Sequence, residues 1–210
     1  MKSLVSALEQ GVESLDLKLP PGTQAKLLEY LALLQKWNGV YSLTAIRETS
    51  KLVSHHILDS LAVVPHLAGH GVLDVGTGPG LPGIPIAFAR PDWHVTMLDS
   101  NHKKTSFVTQ ALGDLKIHNA VVHRERVELW DPPSRFDVII SRAFSDLADF
   151  TRLAGHLLAT GGRLAAMKGL YPYEEIALLP PEFRVERVIP LAVPGVDGER
   201  HLVLIEKREG

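Results

Sequence analysis

The stretch Val72-Leu73-Asp74-Val75-Gly76-Thr77-Gly78-Pro79-Gly80 joins an apolar run to a segment with helical spacing. In that setting a glycine-rich loop is a ligand site, because glycines turn the backbone sharply and leave no Cβ between it and a ligand. A second apolar run, Met97-Leu98, ends in Asp99-Ser100. A carboxylate at that point accepts hydrogen bonds from both hydroxyls of a ribose. Gly76, Gly78, Gly80 and Asp99 together predict a site for a nucleoside cofactor.

Two cofactor classes meet these requirements. Gly78-Pro79-Gly80-Leu81-Pro82-Gly83 satisfies the dinucleotide fingerprint, and Asp99 lies about 20 residues on, as that motif expects. An NAD-dependent oxidoreductase is therefore one reading, and an enzyme using S-adenosylmethionine the other. A diphosphate needs free amides at a helix N-terminus, where Pro79, Pro82 and Pro85 delete three donors. Asp74 places a carboxylate beside the loop, favourable near an ammonium or sulfonium group and unfavourable near a diphosphate. Both features favour S-adenosylmethionine, with Asp74 counted in its site.

The elements that position this loop follow from periodicity. Short apolar segments near 71–75, 94–99, 119–123, 136–141 and 162–167 alternate with helical patterns near 83–90, 102–115, 146–158 and 172–178. This is the signature of βαβ units around a mostly parallel sheet. Segments 183–191 and 201–207 flank the turn-rich Val193-Pro194-Gly195-Val196-Asp197-Gly198, which predicts an antiparallel hairpin at the sheet edge. Before residue 69 the spacing is helical throughout. Leu4, Leu8, Val12 and Leu15 form one stripe, Leu27 to Trp37 a second, and Leu52 to Val64 a third, with Pro21 at a helix start. The chain is thus expected to fold as an N-terminal helical cap, residues 1–68, packed on an α/β, Rossmann-like domain, residues 69–210.

Composition sets the outer limits. The 210 residues are 45% hydrophobic and 22% charged, enough to bury a core without a disordered tract. The apolar runs are strand-sized and no basic-then-apolar leader opens the chain, so a cytoplasmic protein with no membrane contact is expected. Absence of cysteine excludes disulfides, thiolate metal sites and cysteine nucleophiles, including the one that pyrimidine C5 methylation uses. A net charge of -2 gives no global sign of a polyanion partner, so any nucleic-acid contact must be local.

The residues from Asp74 to Pro85, followed by Leu98-Asp99-Ser100, Ser141-Arg142-Ala143-Phe144 and Met167-Lys168-Gly169, resemble the RsmG (GidB) family. His56-Ile57-Leu58-Asp59-Ser60 upstream and Asp197-Gly198-Glu199-Arg200-His201-Leu202 downstream also fit its pattern, so the likeness spans nearly the whole chain. One departure is Ser42-Leu43-Thr44, where the family usually has Asn-Leu-Thr. The resemblance implies the class I methyltransferase fold, a seven-stranded sheet with one antiparallel strand. It further implies methyl transfer to N7 of a guanine in 16S ribosomal RNA near the decoding region. The cofactor contacts it implies fall on Gly76, Leu81, Val127, Glu128 and Arg142.

Methylation at N7 uses an existing ring lone pair, so no general base is required and no catalytic dyad is evident. Arg142 is then a positioning residue. A bidentate contact to O6 and N7 would cover the reacting atom, so Arg142 is expected to hold a carboxylate, a phosphate or O6 alone. Asp131-Pro132-Pro133-Ser134 precedes its strand and lacks the aromatic of amino-group methyltransferases, and is read as a turn. Candidate RNA-contacting residues are Lys103, Lys104, Arg124, Arg126, Lys168, Arg200 and His201, with Phe144 as a stacking ring. All but the hairpin pair are placed on the rim at the carboxyl ends of the strands. His55, His56 and Asp59 share a helical face without a third ligand type nearby, so no metal site is assigned and Asp59 is expected to meet the cofactor loop. The expected partner is 16S rRNA within the small subunit or an assembly intermediate, met by a monomer. A small-molecule methyltransferase and a non-catalytic ribosome-binding protein are the other readings.

Overall fold

The computed structural model describes residues 2–142, 144 and 146–208, leaving aside the side chains of Lys2 and Ser50. Ala143, within one of the motifs above, lies outside the described residues. Seven strands form one sheet: β1 (Gly71–Val75), β2 (His94–Leu98), β3 (Ala120–His123), β4 (Phe136–Ser141), β5 (Leu158–Lys168), β6 (Phe183–Pro190) and β7 (His201–Lys207). Their order is β3-β2-β1-β4-β5-β7-β6, with β7 antiparallel to both its neighbours and the first five strands parallel. The C-terminal hairpin therefore inserts β7 beside β5 and leaves β6 as the edge.

Four helices cross between the strands: α5 (Gly83–Ala89), α6 (His102–Asp114), α7 (Leu147–Ala154) and α8 (Tyr173–Ala177). The cap comprises α1 (Lys2–Ser14), α2 (Thr23–Tyr41) and a broken third helix. That helix starts as α3 (Thr49–Leu52), widens into a π-helical stretch at Val53–Leu58 and resumes as α4 (Asp59–Leu61). Pro21 is not the first helical residue. It lies in the turn before α2, closed by Thr23 N–H donating to Pro20 O at 3.1 Å.

Period-two alternation divides the core by sheet face. Val72, Val95, Val138, Ala165 and Leu204 point to one side, where they join α5, α6 and the cap residues Leu27, Leu31, Leu34, Ile57 and Leu61 in a single cluster. Leu73, Leu98, Ile139, Leu164 and Val203 point to the other, against Phe150 of α7 and Phe183 of β6. Both faces of the central strands are buried, which is why those strands read as continuous apolar runs.

Candidate functional site

The loop after β1 is tied down from within. Gly76 N–H and Thr77 N–H donate to Leu98 O at 2.8 and 3.1 Å. Gly78 N–H donates to Asp99 Oδ2 at 2.9 Å, and Gly83 N–H to Asp74 Oδ2 at 2.8 Å. Gly80 and Leu81 amides both donate to Thr77 O, at 3.0 and 2.9 Å. Pro79 and Pro82 have no amide to give. Every backbone donor from Gly76 to Gly83 is committed, so the loop has none to offer a diphosphate, and the dinucleotide reading fails here.

Asp74 lies beneath this loop, fully buried. Its Oδ2 also accepts from Thr77 Oγ1 at 2.6 Å, while Oδ1 is buried with no hydrogen-bond partner. Burial pushes its carboxyl up to about 6, against the pull of the Thr77 and Gly83 bonds and the Arg142 charge. An unpartnered carboxylate oxygen at the loop suits a cationic ligand and repels an anionic one. Two glycines are required by geometry. Gly78 has φ 60°, and a Cβ on Gly83 would stand 2.6 Å from Met97 Cγ and 2.9 Å from Asp74 Oδ2.

A cavity of about 230 Å³ opens beside the loop, walled by Gly76, Leu98, Asp99, Arg126, Val127, Glu128 and Phe144 among others. Asp99 ends β2 with Oδ1 accepting from Asn101 N–H at 2.8 Å and Oδ2 from Gly78 N–H. Each oxygen keeps a lone pair for a further donor. Lys104 Nζ stands 3.8 Å from Asp99 Oδ2, and Arg126 pairs with Glu128 at 3.3 Å. The amides of Lys103 and Lys104 are capped by Asn101 Oδ1. Phe144 packs on Phe150 with ring centres 5.0 Å apart.

A second cavity, about 460 Å³, is lined by His55, His56, Asp59, Arg142, Lys168, Arg200 and His201 among others. At its base is Asp59, buried to 4% exposure. Arg142 Nη1 donates to Asp59 Oδ2 at 3.3 Å and to His55 O at 3.2 Å. Arg200 Nε approaches the other carboxylate oxygen to 3.2 Å. One acid from the cap thus holds two arginines, one following β4 and one preceding β7. His56 Nδ1 lies 3.2 Å from His55 O, which only accepts, so that nitrogen bears the proton. Nε2 is then the acceptor for Thr44 Oγ1–H at 3.0 Å, and Thr44 in turn accepts from Ile46 N–H. Burial first, then the Arg142 charge, lowers His56 to about 4 and keeps it neutral.

The predicted residues separate into two groups across the segment after β4. Gly76, Asp99, Arg126, Val127, Glu128 and Phe144 share the smaller cavity; Arg142, Lys168, Arg200 and His201 share the larger. Asp74, Gly78, Gly80 and Leu81 are buried behind the loop surface. Phe144 and Arg126, expected to contact RNA, thus line the smaller cavity, and Arg142, expected among the cofactor contacts, lines the larger. The hairpin pair, expected apart from the rim, joins Arg142 and Lys168. Lys168 is not a free cation: its Nζ is 2.7 Å from Glu175 and 3.3 Å from Phe144 O. Asp59 does not reach the cofactor loop; its partners are the two arginines. The residue that does reach it is Tyr30, whose hydroxyl donates to Pro79 O at 2.7 Å. Tyr30 is fully buried, and burial holds its phenol above the ordinary range. Its place in the apolar stripe Leu27-Leu31-Leu34 hid the polar tip; a tyrosine inside such a stripe was the available signal.

Sheet order, the glycine loop ending β1 and the acid ending β2 define the class I methyltransferase fold. The O-methyltransferase TomG from Streptomyces achromogenes, solved in complex with SAM, matches with TM-score 0.61 at 16% identity over 96% of each chain. TrmN from Thermus thermophilus matches at 0.56 and 23% identity, over 71% of this chain and 48% of that one. The chain belongs to the GidB family, rRNA small subunit methyltransferase G, whose sequence model matches residues 23–203. The ribosomal RNA small subunit methyltransferase G of Laribacter hongkongensis is 54% identical over 206 residues, covering 98% of this chain and all of that one. Its counterpart from Chromobacterium violaceum is 55% identical over 197 residues, 93% and 94% of the two chains. The protein is a methyltransferase enzyme.

Proposed function

We propose that the chain transfers a methyl group from S-adenosylmethionine to N7 of a guanine in 16S rRNA near the decoding region. What carries this reading is the pair of cavities on either side of the segment after β4. The smaller has the carboxylate and apolar walls suited to a nucleoside, the larger a cationic lining. The donor's sulfonium supplies an activated methyl group. Asp99 accepts the ribose hydroxyls, Gly76, Leu81, Val127 and Glu128 shape the nucleoside site, and Asp74 offsets the cofactor's positive charge.

No residue needs to take a proton from guanine N7. The chain's part is orientation, an effect of about 7–11 kcal/mol at best. Arg142, held by Asp59 and His55 O, borders the acceptor site without being free to cover N7. Arg200 and His201 contact the RNA from the hairpin side. Residues 1–68 and 69–210 act as one unit, since cap residues wall the acceptor cavity. The enzyme works in the cytoplasm on the small ribosomal subunit or an assembly intermediate, and no helix of the described residues is long and apolar enough to cross a membrane.

The test is methyl transfer from labelled S-adenosylmethionine to naked 16S rRNA, small subunits and whole ribosomes, with the product nucleoside identified by mass. 7-Methylguanosine is expected. A methylated pyrimidine, or no RNA product, would refute the acceptor.

A further inference from the structure

Beyond the lining of the larger cavity, the chain leaving β5 exposes large apolar side chains at its rim. Leu170 is 76% exposed and Tyr173 75%. The ring of Tyr173 meets Tyr171 at a centroid distance of 4.2 Å and a tilt of 34°. Tyr171 in turn stands edge-on to His201, 5.5 Å away at 80°. His201 is fixed by its Nδ1–H, 2.7 Å from Gly169 O, and lines the cavity. An aromatic series therefore runs from solvent, through Tyr171, to the wall of the acceptor site.

We infer that Tyr173, backed by Tyr171, is a stacking platform for an unpaired nucleobase of the RNA next to the target nucleotide. This rests on the RNA reading above and names a contact that the cations do not provide. A base unstacked from its neighbours exposes a π-face that a tyrosine ring covers irrespective of sequence. The adjoining cavity is lined by Arg142, Lys168 and Arg200; the two arginines share Asp59 and Lys168 pairs with Glu175, so three cations face two acids and one positive charge remains for a phosphate beside such a base. Phe144, the aromatic first expected to stack, packs on Phe150 and lines the other cavity.

The test uses the full chain with small subunits and naked 16S rRNA. Tyr173→Ala should raise KM for RNA about tenfold, the loss of one base–aromatic stack, with kcat and S-adenosylmethionine affinity little changed. Tyr173→Phe should restore wild-type KM, whereas Tyr173→Leu should not. In Tyr173→Trp, added RNA should quench the new indole's fluorescence. An unchanged KM in the alanine variant, full activity in the leucine variant, or a blue shift without quenching would overturn the proposal; the last two point to a protein partner. Failure of the wild-type enzyme to use RNA at all would instead remove the reading beneath it.

Discussion

Replacing Asp74 by Asn should make stability climb more steeply with pH than it does in the wild type. Asp74 is raised from 3.8 to about 6 in the folded chain by burial. Folded protein therefore retains a proton that unfolded protein has released. The stabilisation is full below the ordinary carboxylate range and is lost as pH rises through the folded value. That loss is about 3 kcal/mol, at about 1.4 kcal/mol per unit. His56 does the reverse: burial lowers it from 6.5 to about 4, so its contribution is present above its ordinary value and lost as pH falls through the folded one. Its magnitude is again about 3 kcal/mol, and over the shared window the two slopes oppose each other. In Asp74→Asn the side-chain oxygen still accepts from Thr77 and Gly83, so the hydrogen bonds survive while the titration disappears. Urea unfolding at constant m-value should show the variant gaining about 3 kcal/mol on wild type between acid and neutral pH, roughly 6–12 °C in Tm. His56→Gln should lose ground over the same range. A variant-minus-wild-type difference flat to within about 0.5 kcal/mol would refute the assignment of a raised Asp74.

Asp99→Ala should weaken S-adenosylmethionine binding by at least about tenfold, because a hydrogen bond to a charged group is worth about 1.5–3 kcal/mol. Calorimetry checks it, and unchanged affinity would take Asp99 out of the cofactor site. Arg142→Ala combined with Arg200→Ala should cost more stability than the two single changes together, by about 1–2 kcal/mol, since only the double variant strips buried Asp59 of both partners. Strict additivity in denaturant melts would sink that coupling. Tyr30→Phe leaves Pro79 O without its donor and should destabilise the chain by about 1–3 kcal/mol, with a parallel drop in cofactor affinity. A stable variant with full affinity would show that the cap does not support the loop.

The sheet was legible because parallel strands buried on both faces spell themselves as apolar runs, and glycine and proline punctuate the turns between them. Boundaries slipped where local geometry is irregular. β5 begins at Leu158 rather than near 162, since its first pairing with Phe136 is followed by a register shift across Gly161 and Gly162. The helix expected to run to 158 ends at Ala154 and tightens into a 3-10 turn at Gly155–Leu157. The π-helical stretch at Val53–Leu58 was not legible, because Leu52, Val53, Ile57, Leu61 and Val64 also fit ordinary helical spacing and no residue type there announces i→i+5 pairing. Charged residues were the least legible. Nothing local to Lys168 announces Glu175 as its partner, and nothing near Asp59 announces Arg142 and Arg200, whose positions depend on how the cap seats against the sheet.

That seating changes what the cap is for. Four of its polar residues reach the site: Tyr30 holds the cofactor loop at Pro79, His56 with Thr44 forms a neutral wall, and Asp59 anchors both arginines. The larger cavity consequently has no complete lining without helices from the first third of the chain. It also gathers two arginines at one cavity in a protein of net charge -2. Two long, flexible arginines would otherwise lose considerable side-chain entropy on ordering. On the function proposed above, Asp59 orders them before RNA arrives, in a place where their charge is only partly neutralised by one carboxylate. Arg142 reaches both Asp59 and His55 O from a single nitrogen, Nη1, so a lysine there would keep the charge and would keep both contacts only if its ammonium sat where Nη1 does.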